Sequence, residues 1–359
     1  MDMRKQMCLR ILEGELSISA ACRAYGVTRK TGKKWLGRAR ENGIEGMREH
    51  SRAPKNSPHK TPCEKEEALL LVKEQFPAWG GKKLAVVLSR DYDIALEVRT
   101  ADRILKRNDL VQPRSKAPEP VSFEREEPNM LLQMDFKGSP KSWPHSLLTV
   151  LDDHSRMSML FEPVKDKTGE TVFAALWEMF ADTGLPLQML MDNGDCWGSV
   201  SYKRCPTTFE AKLWRLGIKT THGRPRHPQT QGKVERFHRT ALREVGLAMF
   251  DANVERSRAA CQAFRDRYNW VRPHESLGGR VPGSAYTPAT RKRPDKLPEH
   301  YIPEGAITRM VQQGGLFYFK GTEYLIGKGL IGQRIELRDE ELGMRIYYAG
   351  FPLFYTHEL

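Results

Sequence analysis

Three acidic residues stand where a carboxylate is costly unless it has a function. Asp135 lies in the apolar run NMLLQMDFKG and Asp192 in LPLQMLMDNG, and both runs end at a turn that contains glycine. Apolar runs of this length with turn residues at their ends predict buried strands, in which an unpaired charge is unfavourable. Glu235 follows on a predicted helix, in GKVERFHRTALR, among basic residues. Two strand-borne aspartates and one helix-borne glutamate predict a site for a divalent cation with oxygen ligands.

Each of these three carboxylates also has a structural interpretation, and the sequence leaves both open. Asp135 is placed to cap the turn before Gly138, and Asp192 precedes an Asn-Gly pair that is typical of turns. Glu235 is placed to pair with Arg239 at i,i+4, an interaction that stabilises a helix only weakly. The set is harder to explain in this way, because clustered acids destabilise a fold unless a cation neutralises them.

Other polar residues near these acids have weaker claims to a chemical role. We expect His238 to contact a phosphate from the helix surface, and we expect Asp152 and Asp153 to be structural. Ser155 has no evident base partner and Cys196 has no paired histidine, so the sequence supports neither a hydroxyl nor a thiol nucleophile.

The composition indicates a multidomain protein that binds a polyanion. The chain has 359 residues and a formal net charge of +13, and this length favours two or three domains. Residues 23–60 hold 11 lysines and arginines against 3 acidic residues, a density typical of nucleic-acid contact. No apolar stretch is long enough to span a membrane, and the N-terminus lacks the features of a signal peptide. The six cysteines are scattered, so we expect free thiols in a reducing cytoplasm.

Residues 1–49 predict a helix-turn-helix DNA-binding domain. Three helices are expected between residues 4 and 42, with a turn at Tyr25-Gly26 and with Thr28 as the N-cap of the last helix. That helix would present basic side chains to the major groove of DNA, namely Arg29, Lys30, Lys33 and Lys34.

Three stretches rich in proline and charge predict linkers, at residues 50–63, 112–128 and 286–304. The first has a second interpretation as a basic arm that follows DNA phosphates through Arg52 and Lys55. These stretches separate the chain into segments with different patterns.

Residues 64–111 predict a second domain that resembles a helix-turn-helix unit. Pro77 is expected to end its first helix, and Thr100 is expected to cap its last helix. Ile104 and Leu105 would face inward from that last helix.

Residues 129–285 predict an α/β domain. Strands around Asp135, in LLTVLDDHS and in MSMLFEPV are followed by a helix over 168–183, a strand in LQMLMD, a helix in TTFEAKLWRLG, a strand in IKTTHG and two further helices. The order β-β-β-α-β-α-β-α indicates a mixed sheet with helices on its faces. The helix expected over 229–250 has an apolar stripe at helical spacing, which consists of Val234, Phe237, Ala241, Val245, Ala248 and Met249.

Residues 305–359 have a different pattern from the α/β domain. Five short β-like runs, ITRMV, LFYFKG, TEYLIG, QRIELRD and MRIYYAG, are separated by turns that contain glycine. This pattern predicts a small β-barrel or sandwich, and we expect a β-barrel domain.

Five motifs of the α/β domain resemble the integrase-type catalytic core of bacterial insertion-sequence transposases. These belong to the DDE superfamily, which includes retroviral integrases. The motifs are LQMDFKG, LLTVLDDHSR, LMDNG, HGRPRHPQTQGKVERFHRT and YNWVRPHESLGG. Upstream, YGVTRKTGKKWL and WGGKKL with RILKRNDLV resemble the paired helix-turn-helix units of the same transposases. The resemblance of the core covers roughly residues 125–285 and implies a ribonuclease-H-like fold.

The resemblance implies that Asp135, Asp192 and Glu235 bind two Mg²⁺ ions, for which Mn²⁺ can substitute. The first reaction would cleave a phosphodiester at the end of the element and free a 3′-OH, and the second would join that 3′-OH to target DNA. Two metal ions supply the activated water and the stabilised leaving oxygen that this chemistry requires. Further DNA contacts are expected from Arg224, Arg226, Gln229, Gln231, Lys233, Arg236 and Arg239.

The implied partners are the transposon ends and a target, all double-stranded DNA, with no membrane. Because two ends must be brought together, a homodimer or higher multimer is expected, in a bacterial cytoplasm and associated with the nucleoid. Two competing hypotheses remain at this point. The first is a catalytically inactive, transposase-derived DNA-binding regulator, which predicts DNA binding without strand chemistry. The second is a metal-dependent nuclease that cleaves without joining.

Overall fold

The computed structural model describes residues 3–44, 47, 61–111, 124–192, 205–223 and 232–358. The chain divides into two units, Met1–Lys60 and Thr61–Leu359. None of the helices in the described ranges has the length and apolar character that crossing a membrane requires. The cysteines in those ranges are free thiols, as expected: Cys8, Cys22, Cys63, Cys205 and Cys261.

The first unit contains three helices whose buried side chains surround Trp35. They are α1 (Met3–Leu12), α2 (Ile18–Ala24) and α3 (Arg29–Asn42). The hydroxyl of Thr28 accepts a hydrogen bond from the backbone of Thr31, so the predicted cap of α3 is confirmed. Trp35 packs against buried side chains of α1 and α2, including Met7 and Ala21. The predicted DNA-contacting side chains of α3 are all exposed: Arg29, Lys30, Lys33 and Lys34.

A second set of three helices opens the second unit. They are α4 (Cys63–Gln75), α5 (Gly81–Tyr92) and α6 (Val98–Arg107). The predicted cap at Thr100 is wrong, because α6 already begins at Val98, after Glu97. The carbonyl of Glu97 accepts the backbone N–H of Thr100 at 2.9 Å, which makes Thr100 part of the first helical turn. Ile104 and Leu105 are buried as predicted.

A five-stranded mixed sheet forms the centre of the second unit. Its strands are β1 (Leu132–Lys137), β2 (Ser146–Asp152), β3 (Ser158–Val164), β4 (Gln188–Met191) and β5 (Lys219–His222). Their spatial order is β3-β2-β1-β4-β5. The strands β1, β2 and β3 pair antiparallel, whereas β4 and β5 join β1 in parallel. The predicted order of strands and helices is therefore confirmed.

Helices cover both faces of this sheet and complete a three-layer domain. They are α7 (Gly169–Thr183), α8 (Thr208–Arg215), α9 (Gly232–Glu244) and α10 (Val254–Trp270). Side chains of α7 and α8, such as Leu176 and Leu213, share one core with the sheet. Side chains of α9 and α10, such as Phe237 and Phe264, share a separate core on the opposite face. The alternation of side chains along β1 and β2 supplies both cores.

The helix α9 is shorter than the sequence predicted. It ends at Glu244, and a 3-10 helix over Gly246–Phe250 continues the chain. Gly246 takes a positive φ of 62°, a backbone conformation that suits glycine and ends an α-helix. Ala248 is exposed and does not belong to the predicted apolar stripe.

The basic stretch 286–304 follows the surface of the α/β domain closely. Backbone hydrogen bonds join Ala289 to Thr183 at 2.8 Å and Leu185 to Arg291 at 2.7 Å. This segment, predicted as a linker, therefore packs along the core as it connects it to the C-terminal strands.

The C-terminal strands form an open antiparallel sheet and a separate hairpin. The strands are β6 (Ile307–Met310), β7 (Leu316–Phe319), β8 (Thr322–Leu325), β9 (Arg334–Glu340), β10 (Gly343–Tyr348) and β11 (Phe351–Tyr355). Four of them pair in the order β11-β10-β9-β6, and β7 pairs with β8. Trp214 and Ala211 of α8 pack into the core of this β-domain. The predicted small β-domain is confirmed. It contains one strand, β11, that was not predicted from the sequence.

The helices α4 to α6 pack on the α/β domain through the C-terminal end of α9. The indole N–H of Trp79 donates to the carboxylate of Glu244 at 2.9 Å. Glu244 is the last residue of α9, and its side chain also pairs with Arg267 and Arg272. A further hydrogen bond joins the Arg90 guanidinium to the carbonyl of Val271 at 3.2 Å. The second helical domain is thus tied to the helix that carries Glu235.

Candidate active site

Asp135 lies on β1 and faces the layer formed by α9 and α10. It is opposite Thr149 of β2 in the antiparallel register. Because side chains alternate along a strand, Asp135 shares its face with Leu147 and Leu151, which pack against α9. One carboxylate oxygen accepts the backbone N–H of Phe136 at 2.8 Å.

Asp192 lies beside Asp135 at the end of the neighbouring strand. In the parallel pair of β1 and β4, Leu132 is opposite Met189. Asp135 and Asp192 each lie three residues further along their strands, so they come to the same level of the sheet. Asp192 is also the last residue before 193–204, which lie outside the described residues.

Glu235 is exposed on the first turn of α9. Two contacts fix this part of the helix to the sheet. The amino group of Lys233 lies 2.5 Å from the Asp153 carboxylate, and the His238 ring lies 2.8 Å from the Thr149 hydroxyl. Glu235 is therefore held between two anchored neighbours on the same helix.

Asp192 and Glu235 both affect the charge of Asp135. The pKa of Asp135 is raised to about 6, first by burial and then by repulsion from Asp192, with a smaller contribution from Glu235. Lys167 opposes this shift only weakly. The negative charges of both other acids therefore repel that of Asp135, and a bound cation would relieve this repulsion.

The predicted phosphate contact of His238 is wrong. The ring is buried, with 7% of the residue exposed, because the helix turns it towards β2 and Thr149. Burial and the neighbouring Lys137 lower the pKa of His238 to about 3, so the ring is neutral at physiological pH. The distance of 3.9 Å between His238 Nδ1 and Asp135 therefore does not represent an ion pair.

Lys233, a predicted DNA contact, pairs with Asp153 in the structure. Its amino group donates to both the carboxylate and the backbone carbonyl of Asp153, and only 17% of its side chain is exposed. Burial lowers the pKa of Lys233, and the hydrogen bond to Asp153 opposes that shift. Lys233 has a structural role at the start of α9.

Asp152 and Asp153 are structural, as predicted. Both are fully buried and accept several hydrogen bonds. Asp152 accepts from the backbone of Asn129 at 2.8 Å and from the backbone and hydroxyl of Ser155 at 2.7 Å. Asp153 accepts from the backbone of Arg125 at 2.8 Å in addition to Lys233. They hold the turn between β2 and β3 against the start of the domain.

His222 contacts Asp192 in the structure. The sequence analysis predicted only that this residue ends a strand. Its Nδ1 lies 3.0 Å from the Asp192 carbonyl oxygen, and its Nε2 lies 2.8 Å from the Glu210 carboxylate. The sequence shows only a histidine at the end of a predicted strand. In the structure His222 pairs with Met191, the residue before Asp192. Recognising it required the register of the two strands, which the sequence does not state.

The predicted DNA contacts fall into two groups in the structure. Arg236 and Arg239 are exposed on α9, near Glu235, as are the four basic side chains of α3. The remaining predicted contacts lie outside the described residues: Arg52, Lys55, Arg224, Arg226, Gln229 and Gln231.

The chemistry of the donors fits a hard divalent cation. Carboxylate oxygens are the preferred protein ligands of Mg²⁺, and the pKa of Asp135 is raised first by burial and then by the negative charges of Asp192 and Glu235. Within the described ranges, no three His, Cys, Asp or Glu side chains are gathered closely enough to enclose an ion. The carboxylates thus lie near one another without forming a closed ligand cluster.

Four family models match the chain in the same order as the structural domains. Residues 125–228 and 216–282 each match a model described as an integrase core domain. Residues 3–55 match a helix-turn-helix domain, and residues 31–105 match a homeodomain-like domain.

Several solved integrase structures are similar to the chain. The catalytic core of BIV integrase is 24% identical, covers 44% of this chain and 93% of its own, and has a TM-score of 0.35. The HTLV-2 integrase core in complex with magnesium is 18% identical, covers 45% of this chain and 99% of its own, and has a TM-score of 0.36. A simian T-cell lymphotropic virus intasome in complex with PP2A regulatory subunit B56 gamma is 17% identical, covers 80% of this chain and 98% of its own, and has a TM-score of 0.40.

The mixed sheet with its strand-borne acids and the two integrase-core matches define a member of the polynucleotidyl transferase superfamily with a ribonuclease-H-like core. Helix-turn-helix domains precede that core. Together the matches give the chain an integrase core that is preceded by helix-turn-helix domains.

Proposed function

We propose that this protein is an active DNA transposase that binds the ends of its own insertion sequence. It cleaves the phosphodiester there to free a 3′-OH and joins this group to target DNA. The observation that carries the proposal is the placement of Asp135 and Asp192 at one level of adjacent strands, with Glu235 close enough to raise the pKa of Asp135.

In this proposal Asp135, Asp192 and Glu235 hold Mg²⁺, two ions in the full site, with Mn²⁺ as a substitute. Bound cations of this kind activate a water or hydroxyl nucleophile and stabilise the leaving oxygen of a phosphodiester. The proposal requires no covalent intermediate with the protein, and the sequence supports neither Ser155 nor Cys196 as a nucleophile.

The chain's other residues bind and orient DNA. The exposed guanidinium groups of Arg236 and Arg239 lie on the same helix as Glu235, so phosphates that they bind are held near the carboxylates. The basic side chains of α3 supply recognition of the transposon ends. Because the two ends react together, we propose that at least two copies of the chain assemble on DNA.

The test is strand transfer in vitro with wild type and Glu235→Gln side by side. The substrate is a labelled duplex from the DNA that flanks the reading frame, with supercoiled target DNA and Mg²⁺. Joined products with wild type alone are the expected result, because the amide keeps the size of the side chain and removes its charge. Equal affinity of both proteins for the duplex serves as the control for folding.

The competing function is a DNA-binding regulator without strand chemistry. The four exposed basic residues of α3 favour DNA binding in either case, so binding alone does not separate the two functions. Tight binding to the flanking duplex without nicking or joining, in Mg²⁺ and in Mn²⁺, would support the regulator. Nicking without joining would support a nuclease.

A further inference from the structure

We infer that His222 is a positioning residue for the metal site, and that it acts by fixing the backbone of Asp192 at the end of β4. This inference rests on the proposed function, because it concerns a residue that holds one of the proposed metal ligands. His222 itself lies on the neighbouring strand β5.

The hydrogen bond to Asp192 defines what the ring does. A carbonyl oxygen can only accept, so His222 Nδ1 carries the hydrogen that it donates to Asp192 across 3.0 Å. The residue after His222 reinforces the same strand end, because the backbone N–H of Gly223 donates to the carbonyl of Met191 at 2.9 Å. The regular pairing of β4 with β5 ends at Met191 and His222. The imidazole thus extends the hydrogen bonding by one residue, to the one that carries the carboxylate.

Glu210 holds the other side of the ring. Its carboxylate lies 2.8 Å from His222 Nε2, and the residue is only 6% exposed. Glu210 is itself fixed by a reciprocal capping box with Thr207 at the start of α8. It also accepts a hydrogen bond from the Thr220 hydroxyl at 3.3 Å. The first turn of α8 therefore fixes the orientation of the His222 ring from the Nε2 side.

These contacts matter because Asp192 follows the last residue of β4 and borders residues 193–204, which lie outside the described residues. Because the carbonyl and the carboxylate of Asp192 belong to one residue, a hydrogen bond that fixes the carbonyl also restricts where the carboxylate lies. Groups that orient metal ligands in this way typically change metal affinity or activity by about 10–100-fold when they are removed. The contacts from Glu210 through His222 to Asp192 support the proposed metal site in this way.

Three substitutions of His222 separate the two hydrogen bonds. His222→Asn places an amide N–H near the position of Nδ1 and keeps a donor for Asp192. His222→Gln places its amide near Nε2 and keeps the contact with Glu210 only. His222→Phe keeps a ring and loses both contacts. Thr220→Val is the matched control, since it removes a contact of Glu210 without touching Asp192.

The first measurement is Mn²⁺ affinity of the full-length proteins, by electron paramagnetic resonance. We expect His222→Phe and His222→Gln to bind Mn²⁺ about 10–100-fold more weakly than wild type, and His222→Asn and Thr220→Val to remain near wild type. Rescue by asparagine but not by glutamine is not expected from a merely structural role. Equal affinity of all three His222 variants would overturn the inference.

The second measurement requires no metal. Asp192-Asn193 is the one Asp-Asn step in the sequence, so ¹³C-carbonyl aspartate with ¹⁵N-asparagine labels a single peptide bond. We expect the carbonyl shift of Asp192 to change in His222→Phe and His222→Gln and to stay close to wild type in His222→Asn. An unchanged shift in His222→Phe would refute the contact.

The two measurements also separate this inference from the proposed function. If Asp192→Asn binds Mn²⁺ as tightly as wild type does, the proposed metal site is wrong. The carbonyl shift then still decides whether His222 positions Asp192.

Discussion

Asp135 of the proposed metal site and the neighbouring His238 have pKa values that are shifted in opposite directions, and burial is the main cause of both shifts. Burial raises the pKa of Asp135 to about 6 and lowers the pKa of His238 to about 3. Each shift favours the neutral form. Near pH 7 the ring of His238 is neutral and Asp135 is mostly ionised, at an energetic cost that the fold tolerates.

That cost predicts how Asp135→Asn behaves without divalent cations. An acid with a raised folded pKa contributes stability below its unfolded pKa and loses it as the pH rises through the folded value of about 6. At pH 7.5 in EDTA we expect the variant to be more stable than wild type by about 1–3 kcal/mol. The measurement is urea unfolding of both proteins between pH 4 and pH 8.

The difference between the two proteins should grow between pH 4 and pH 6 and stay constant above about pH 7. Added Mg²⁺ should stabilise wild type and leave Asp135→Asn unchanged, because the variant lacks one proposed ligand. A constant difference over the whole pH range would contradict the assignment of the raised pKa to Asp135.

Lys233 and Arg236 offer a matched pair on one helix turn. Lys233→Met leaves the fully buried carboxylate of Asp153 without its ion-pair partner, which we expect to cost about 2–4 kcal/mol of stability. Arg236→Met removes an exposed side chain, so it should leave the unfolding midpoint unchanged and weaken DNA binding. Thermal unfolding and DNA titration of both variants test this. A stable Lys233→Met protein with weak DNA binding would instead support the predicted DNA contact of Lys233.

At the residue scale, the sequence predicted positions better than contacts. Asp135 and Asp192 were recognisable because an acid interrupts each apolar run. The contacts of His238 and Lys233 were not predictable, because helical spacing places both residues beside the apolar stripe without showing which groups of the sheet face them. Thr149 lies 89 residues from His238 in the chain, and Asp153 lies 80 residues from Lys233.

At the scale of elements, α9 is the helix that links the parts of the second unit. Its first turn carries Glu235, its middle packs Phe237 and Ala241 into the core, and its last residue, Glu244, contacts Trp79 of the second helical domain. A displacement of α4 to α6 therefore acts on the same helix that holds a proposed metal ligand.

Glu244→Ala should loosen both ends of this connection. The Glu244 side chain is only 5% exposed and accepts from the indole N–H of Trp79 and the guanidinium of Arg272. Its removal leaves both donors without this acceptor, and we expect this to lower the stability by an amount on the order of 2–4 kcal/mol. We expect faster hydrogen exchange in α5 and in α9. Glu255→Ala is the control, because that side chain is 75% exposed. Faster exchange confined to α10 would show that α9 does not transmit the change.

The sequence predicted most elements of the α/β domain because its strands are apolar runs with clear turns between them. Boundaries were less accurate where local signals conflict with tertiary structure. Thr100 looks like a cap, yet the backbone carbonyl of Glu97 already satisfies the first turn of α6. The packing of 286–304 on the core was not predictable, because proline and charge are also typical of free linkers.

At the scale of the whole molecule, the charge of the first unit sets how strongly DNA binding depends on salt. Replacing both Lys33 and Lys34 with alanine should weaken binding to the transposon end and reduce the slope of log affinity against log salt by about 2. Arg10→Ala is the control, since Arg10 lies on α1 and pairs with Glu15 in the bend that follows that helix. The measurement is a DNA titration at several salt concentrations. An unchanged slope would place recognition elsewhere in the chain.

The contact between Trp79 and Glu244 has a consequence for the proposed reaction on DNA. Residues 61–111 and the sheet that carries Asp135 belong to one unit, so a duplex bound by these helices would lie at a set distance and rotation from the carboxylates. Because the duplex repeats about every 10.5 base pairs, the proposed transposase would act as a ruler that counts helical turns. A cleavage point moved by half a turn faces away from the carboxylates, whereas a full turn restores its face but not its reach.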